Sequence, residues 1–114
     1  MAWIADFPDP SNFYGPILGC GGAVPGGWNW AWYCNEELDA KSKVADGMFQ
    51  AEKSAERLEL WRSIYIDIME EAPWVPVFNE LRVTMHSDKI SAEDNALFVD
   101  PTHIPVHYDY ISVK

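Results

Sequence analysis

Asp6 is the residue near the start of the chain that is best placed for binding chemistry. It lies between Trp3 and Phe7, after the short apolar run Trp3–Ala5, which we interpret as the end of a buried strand. A carboxylate among large aromatic side chains is partly desolvated and needs a cationic or hydrogen-bonding partner. The sequence therefore predicts one of two roles for Asp6: a salt bridge to a cationic group of a ligand, or a hydrogen bond to the backbone of its own turn.

Large aromatic side chains alternate along the segment Trp28–Tyr33. This pattern predicts either a strand with one aromatic face or an extended loop that lines a pocket. Tryptophan rings can bind sugars and peptides, although they also fill protein cores. Trp28 and Trp30 are the better candidates for ligand contact because they directly follow the glycine-rich segment Gly19–Gly27, which we expect to be a surface loop.

The sequence predicts a binding protein and not an enzyme, with no cofactor. It has no G-x-S-x-G motif, and neither of its two cysteines lies in a context that would activate a nucleophile. Asp6 and Asp9 could pair as glycosidase carboxylates do. Asp9, however, lies directly before Pro10, where it is expected to cap a helix instead.

A metal site in the C-terminal tail is conceivable but is not expected. His103 and His107 are four residues apart, and Asp100 and Asp109 lie close to them in the sequence. Histidines at this spacing bind zinc when they share a continuous helix. Pro105 lies between them and disfavours such a helix, so we predict no metal ligands in this chain.

Two helices are predicted in the first half of the chain. Asp9–Pro10 should begin the first helix, over Ser11–Leu18, and Gly15–Pro16 should interrupt it after a turn or two. Asn35 should cap the second, whose first turn is acidic as a helix N-terminus favours. The second helix is expected to run to Asp46–Gly47.

The third helix is amphipathic, and Pro73 should end it because proline disfavours the helical conformation of the residue before it. Its predicted apolar stripe comprises Leu58, Trp61, Tyr65, Ile68 and Ala72. Strands are predicted at Trp74–Phe78, Leu81–Met85 and Val106–Val113. The order of these elements indicates an α+β fold without internal repeats.

The composition indicates a globular, acidic chain of at most one domain. It has 114 residues, of which 48% are hydrophobic, and a formal net charge of −10. Nucleic acids and anionic membranes select basic surfaces, so the acidity argues against both as partners. No apolar run approaches the roughly 20 residues that span a bilayer, and no signal peptide is recognisable in the sequence.

Four motifs occur in order along the chain. They are W-x-x-D-x-x-D-P-x-N-F at Trp3–Phe13, Y-C-N-x-x-L-D at Tyr33–Asp39, E-R-x-x-L-W at Glu56–Trp61, and A-P-W-V-P-V at Ala72–Val77. This series resembles bacterial extracellular solute-binding proteins of family 5, the peptide/nickel class, which are the capture subunits of ABC importers. The resemblance covers essentially the whole chain.

The resemblance implies a fold and a location. Members of the family resemble two-lobed clamshells of the periplasmic-binding-protein type, class II-like, with helices packed on a mixed sheet. This chain would be the C-terminal portion of such a protein. Residues 1–79 would form part of the ligand-closing lobe, and residues 80–114 would return to the other lobe. The protein would be periplasmic or extracellular, with its export signal upstream of this chain.

The resemblance also implies a function. The chain would help to capture a short peptide between two lobes, without chemistry, and deliver it to an ABC permease. Asp6 occupies the place of the family aspartate that holds the peptide amino terminus, and Trp3, Phe7, Trp28 and Trp30 are its candidate companions. An oligosaccharide-binding member of the class is the alternative. A third reading is a piece that binds no ligand and self-associates as a homo-oligomer.

Cys20 and Cys34 are expected to form a structural disulfide. They can pair in only one way, and their spacing is too wide for a C-x-x-C redox or zinc pair. Disulfides are common in small exported proteins and rare in cytosolic ones. Some members of the resembled family carry cysteines in these two places. Two free thiols are the alternative.

Overall fold

The computed structural model describes residues 3–78, 83, 85–92, 108 and 111–114. Three α-helices precede a two-stranded antiparallel sheet. Their bounds are α1 Ser11–Ile17, α2 Glu36–Asp46, α3 Ser54–Glu71, β1 Ile90–Ala92 and β2 Ile111–Val113. Short 3-10 turns lie at Cys20–Gly22 and Ala51–Lys53. These elements are compatible with the predicted α+β class.

The chain divides into two compact units. One, the helical unit, is Asp9–Pro76 and contains all three helices; the other, the terminal unit, is Met1–Pro8 with Val77–Lys114 and contains both strands. The assignment of residues 1–79 and 80–114 to two lobes stays a prediction. No helix in the described part of the chain has the length and apolar character needed to cross a membrane.

Asp9 caps α1 as the sequence predicts. Its Oδ1 accepts hydrogen bonds from the backbone N of Ser11, at 2.9 Å, and from the Ser11 hydroxyl, at 2.6 Å. Pro10 has the helical angles φ −56° and ψ −33° expected of a proline in the first turn. The predicted interruption of this helix at Gly15–Pro16 is wrong, because both residues lie inside the helix, which ends at Ile17.

Asn35 caps α2, which confirms the prediction for the second helix. Its side chain accepts hydrogen bonds from the backbone N of Glu37, at 3.0 Å, and of Leu38, at 3.1 Å. The helix ends at Asp46, and Gly47 follows as its C-cap. Local capping rules therefore fix both ends of this helix.

Helix α3 provides the centre of the core of the helical unit. Trp61, Ile64 and Ile68 are the largest fully buried side chains of the described residues. Leu58 is 54% exposed and Ala72 is also exposed, so the predicted stripe is wrong at both ends and missed Ile64. The buried face therefore includes Ile64, and α3 packs against α2. Trp61 contacts two tyrosine rings, with centroid distances of 5.7 Å to Tyr14 and 6.2 Å to Tyr65.

Helix α3 ends at Glu71, where Ala72 adopts the left-handed conformation at φ 48°, in agreement with the predicted stop before Pro73. No strand forms at Trp3–Ala5 or at Trp74–Phe78, so both of those strand predictions are wrong. Ile4 is 49% exposed, so the first segment is also not buried throughout as predicted, and in the second segment Val75 is 83% exposed.

The sheet of the terminal unit pairs Ile90 with Val113 and Ala92 with Ile111. Strand β2 confirms the C-terminal end of the predicted Val106–Val113 strand, whereas β1 lies in a segment that the sequence indicated to be irregular. Most of the predicted strand Leu81–Met85, and residues 106, 107, 109 and 110, lie outside the described residues. Val83 and Met85, which are described, are not in a strand.

Candidate ligand-binding site

A disulfide between Cys20 and Cys34 closes the loop that carries the tryptophans, which we call the tryptophan loop (residues 20–34). The two Cα atoms are 4.4 Å apart, and both cysteines are in the bond. The predicted disulfide is confirmed, and the alternative of two free thiols is not. The bond fixes both ends of the tryptophan loop to each other.

The tryptophans lie in a turn and not in a strand. Trp30 and Ala31 form the turn, and Trp32 has the left-handed angle φ 53°. A residue in that conformation cannot continue a strand, which is why the aromatic alternation does not produce one. Of the two alternatives that the sequence left open, the strand is wrong and the loop agrees with the structure, whereas the pocket that this loop was expected to line stays a prediction.

The tryptophan rings are substantially exposed. The exposed fractions are 48% for Trp28, 39% for Trp30 and 61% for Trp32. Trp28 and Trp30 contact each other edge to face, with ring centroids 5.9 Å apart and planes at 60°. These side chains therefore do not form the core of the helical unit. They present a paired aromatic surface, which is the arrangement that binds flat or apolar ligand groups.

Asn29, between the two paired tryptophans, is the buried residue of this loop, with 3% of its surface exposed. Its side-chain nitrogen donates to the carbonyl oxygens of Gly19, at 3.0 Å, and of Tyr33, at 2.7 Å. Its Oδ1 accepts from the backbone N of Tyr33 at 3.2 Å. The sequence analysis assigned no role to Asn29, although an amide side chain within a run of aromatic residues is a signal of a buried, hydrogen-bonded position.

A second set of contacts holds the C-terminal side of the loop to the end of α3. The Tyr33 hydroxyl and the Asn35 side-chain nitrogen donate to the two carboxylate oxygens of Glu71, each at 2.6 Å. Burial and the hydrogen bond to Glu71 raise the pKa of Tyr33 to about 12. Tyr33 is therefore a neutral donor at physiological pH, and Glu71 links the loop, the α2 cap and α3.

Asp39 of α2 holds the N-terminal side of the loop. Its Oδ1 accepts from the Tyr14 hydroxyl, at 2.7 Å, and from the backbone N of Cys20, at 3.2 Å. Burial, followed by the hydrogen bond to Asp39, raises the pKa of Tyr14 above its usual range. A cavity of about 250 Å³ lies beside this contact and is lined in part by Tyr14, Asp39 and Lys43.

Arg57 of α3 joins two carboxylates at the start of α1 and the end of α2. Its guanidinium contacts both oxygens of Asp9, each at 2.8 Å, and lies 3.6 Å from Asp46. The hydrogen bond from Arg57, supported by Ser11, lowers the pKa of Asp9 to about 2. Burial raises the pKa of Asp46 more than Arg57 lowers it, so Asp9 is the principal partner.

The structure places the predicted site residues in both compact units. Trp3, Asp6 and Phe7 belong to the terminal unit, whereas Trp28 and Trp30 belong to the helical unit. Asp6 is exposed and Phe7 is 49% exposed, whereas Trp3 is half-buried. Within the helical unit the structure brings Trp28 and Trp30 together. A role for any of the five in ligand binding stays a prediction.

Within the described residues, no group of three or more histidine, cysteine or acidic side chains is arranged to hold a metal ion. The candidate tail residues His103, His107, Asp100 and Asp109 lie outside the described residues. The absence of metal ligands from this chain therefore stays a prediction.

Comparison with known proteins finds two binding proteins that are similar to this chain. No family model matches it. It is 31% identical over 103 residues to "Di/tripeptide-binding protein 4" of Pseudomonas aeruginosa (strain UCBPP-PA14), a match that covers 86% of this chain and 19% of the relative. It is 36% identical over 77 residues to "Heme-binding protein A" of Haemophilus influenzae (strain ATCC 51907 / DSM 11121 / KW20 / Rd), which covers 68% of this chain and 13% of that relative.

The chain thus spans less than a fifth of the length of these two curated relatives. Both are family 5 solute-binding proteins, so the resemblance inferred from the four sequence motifs is confirmed. Both relatives are named as binding proteins, which is consistent with a role in binding and not in catalysis.

Proposed function

We propose that this chain, which is similar in sequence to solute-binding proteins of family 5, is part of the capture subunit of an ABC importer for short peptides. The observation that carries the proposal is the similarity to a di/tripeptide-binding protein over 103 residues, or 86% of the chain. The subunit would be periplasmic or extracellular, would have the two-lobed fold of its class, and would deliver its ligand to a membrane permease.

Asp6 is the residue that we assign to the charged end of the peptide. Its exposed carboxylate stands at the aspartate of the W-x-x-D motif, with Trp3 and Phe7 as its aromatic neighbours in the sequence. A peptide α-ammonium offers three donors to such a carboxylate. A charge-assisted hydrogen bond of this kind contributes roughly 1.5–3 kcal/mol, or about ten- to a hundredfold in affinity.

Trp28 and Trp30 are assigned to the apolar part of the ligand. Their edge-to-face contact leaves 48% of Trp28 and 39% of Trp30 exposed, so both rings retain surface for a ligand. Exposed aromatic side chains with few rotatable bonds bind at a low cost in conformational entropy. The pair thus suits apolar peptide side chains, whose recognition is tolerant of sequence.

An oligosaccharide is the second candidate ligand, and the same two tryptophans favour it. Sugar rings stack on exposed indole faces, and this mode of binding does not require a carboxylate. The two candidates therefore differ in their dependence on Asp6. They agree in their dependence on Trp28 and Trp30.

Calorimetric titration of the intact protein separates the candidates. The panel contains dipeptides, tripeptides, cello-oligosaccharides and haem, the last because one relative is named as a haem-binding protein. We expect saturable binding of the peptides alone. Binding of cello-oligosaccharides or haem, with no response to peptides, would transfer the proposal to that ligand. No response to any member of the panel would refute the role in ligand capture.

The Asp6→Asn variant tests the assignment of the peptide amino terminus. The amide removes the negative charge, so affinity for free-amino dipeptides should fall by about ten- to a hundredfold. Affinity for N-acetylated dipeptides should remain nearly unchanged, because they carry no ammonium group. Asp88→Asn, a second exposed aspartate of the terminal unit, is the matched control and should change neither affinity. Equal losses for both peptide types would make Asp6 a structural residue.

A further inference from the structure

We infer that Asn29 is a positioning residue that sets the geometry of the Trp28–Trp30 pair. The first part of the inference, that Asn29 sets this geometry, concerns the structure alone. The second part, that the geometry determines ligand affinity, rests on the proposed function. Asn29 touches no ligand itself because its side chain is buried, with 3% of the residue exposed.

The first argument is the completeness of the hydrogen bonds of Asn29. The two donors of its amide are directed to the carbonyl oxygens of Gly19 and Tyr33, and its Oδ1 accepts from the Tyr33 backbone N. Its own backbone N donates to the Gly22 carbonyl at 3.2 Å, and its carbonyl accepts from the Trp32 backbone N at 3.1 Å. One residue therefore ties the start of the loop to its end.

The space around Asn29 is closely packed on the side of the 3-10 turn. A Cβ atom at Gly22 would lie 3.1 Å from the Asn29 Cβ and would also overlap the carbonyl of Pro16. A glycine is thus required where the turn passes Asn29, and this close approach of the turn forms one wall of the space that holds the Asn29 side chain.

The second argument is the contrast between Asn29 and its neighbours. Asn29 is 3% exposed, whereas Trp28 is 48% and Trp30 39% exposed, with their rings in contact. The backbone turn that carries both rings sets the directions in which they leave the chain, and the buried amide between them holds that turn.

The chemistry of the site requires an amide and not merely a side chain of its size. A carboxylate at position 29 has the same shape but lacks both donors, so it would face the carbonyl oxygens of Gly19 and Tyr33 with acceptors only. Buried polar groups left without a partner destabilise the arrangement that holds them. Asn29→Asp should therefore reorganise the turn even though the disulfide keeps its ends together.

Near-ultraviolet circular dichroism of the 114-residue chain, without ligand, provides the test. The two indole rings are 5.9 Å apart, and a double-variant cycle isolates the signal of the pair: the spectra of Trp28→Phe and Trp30→Phe are subtracted from that of the unmodified chain, and that of the double variant is added. We expect Asn29→Asp to abolish this signal, while the helical far-ultraviolet spectrum and the disulfide are retained. Asn29→Ser, which replaces the amide with a single hydroxyl donor that cannot reach both carbonyls, should reduce the signal, and it serves if the aspartate variant does not fold.

Two controls separate positioning from a general loss of stability. Ile64→Val removes one methylene group from the core and should lower the midpoint of thermal unfolding without changing the signal of the pair. Gln50→Glu makes the same change from amide to carboxylate at an exposed position and should change neither quantity. An unchanged signal of the tryptophan pair in a folded Asn29 variant would overturn the inference.

Titration of the intact protein with a dipeptide then tests the second part of the inference. Asn29→Asp should weaken binding by about tenfold or more. If the unmodified intact protein binds no peptide, the proposed function fails, whereas the spectra still decide whether Asn29 positions the pair. If the signal of the pair is lost and affinity is unchanged, the assignment of this pair to the ligand is refuted while the positioning role stands.

Discussion

At the scale of single residues, Asp9 combines two stabilising contacts. Its Oδ1 caps α1 through Ser11, and both of its carboxylate oxygens lie 2.8 Å from the Arg57 guanidinium. The pair is half-buried, with 19% of the Arg57 side chain and 27% of the Asp9 side chain exposed. Bidentate pairs of this kind are stronger than exposed ion pairs because water screens them less. Asp9 therefore connects the first and third helices.

The pH dependence of stability should report this contact. The pKa of Asp9 is lowered from 3.8 to about 2 in the folded chain, which corresponds to about 1–2 kcal/mol after allowance for partial exposure. Because the pKa is depressed, this stabilisation is present above about pH 4 and is lost as the pH falls toward 2. Urea unfolding of the unmodified chain and of Asp9→Asn at pH 7, 5, 3 and 2 measures it.

Asp9→Asn isolates the ion pair because asparagine caps helices as well as aspartate does. The variant should lose about 1–2 kcal/mol at pH 7, and the two chains should converge near pH 2. Glu59→Gln is the control, since its exposed contact to Arg62 at 3.6 Å should contribute little at any pH. A constant difference between Asp9→Asn and the unmodified chain at all four pH values would mean that the charge of Asp9 is not the source of the stabilisation.

Residues with local roles were the ones that the sequence could predict. Asp9 and Asn35 are recognisable as helix caps because capping depends on the two or three residues that follow. Arg57 and Asn29 were not assigned roles. Arg57 has a partner 48 residues away, Asp9, and Asn29 joins Gly19, 10 residues before it, to Tyr33, four residues after it. Ile64 was also missed: the helix period places it near the apolar stripe, but its burial depends on tertiary packing.

At the scale of elements, the disulfide that closes the tryptophan loop should make a large contribution to the free energy of unfolding. The bond joins residues with a sequence separation of 14. Closure of a loop of about fifteen residues stabilises a chain by roughly 3 kcal/mol in the chain-entropy model. Cys20→Ser combined with Cys34→Ser should therefore lower the free energy of unfolding by about that amount.

Mass spectrometry and denaturation together test the disulfide. The chain prepared without reductant should be lighter by two protons than the reduced chain, and reduction should reproduce the stability of the double serine variant. The double variant should not change its stability when reductant is added, which controls for other effects of the reagent. Two thiols that react with an alkylating agent in oxidised protein would contradict the prediction.

Helices were predicted better than strands. The bounds of α2 and the end of α3 follow from capping residues and from Pro73, which act within a turn of the helix. Strands depend on partners elsewhere in the sequence, so an apolar run such as Trp74–Phe78 does not become a strand without a partner. Strand β1 was missed because its register with β2 joins Ile90 to Val113, a pairing that no short pattern encodes.

At the scale of the whole molecule, the described residues of the two compact units differ in the burial of their apolar side chains. The helical unit has a core around Trp61, Ile64 and Ile68. In the terminal unit, the described residues of segment 77–85 are strongly exposed. Their exposed fractions are 81% for Val77, 80% for Phe78, 78% for Val83 and 92% for Met85. The resemblance predicted that this part of the chain crosses to another lobe, which would cover it.

Self-association of the 114-residue chain is the expected consequence. Contiguous exposed apolar surface favours association, and an unpaired extended segment can exchange between copies. We expect light scattering at micromolar concentrations to give a mass above the 13.0 kDa of one chain.

Val77→Ser combined with Phe78→Ser should lower that mass toward the monomer, because the two changes remove much of the apolar surface. Val44→Ser, at a position that is 55% exposed on α2, is the matched control and should leave the mass unchanged. A mass of one chain for the unmodified protein at the highest concentration tested would show that segment 77–85 does not drive association.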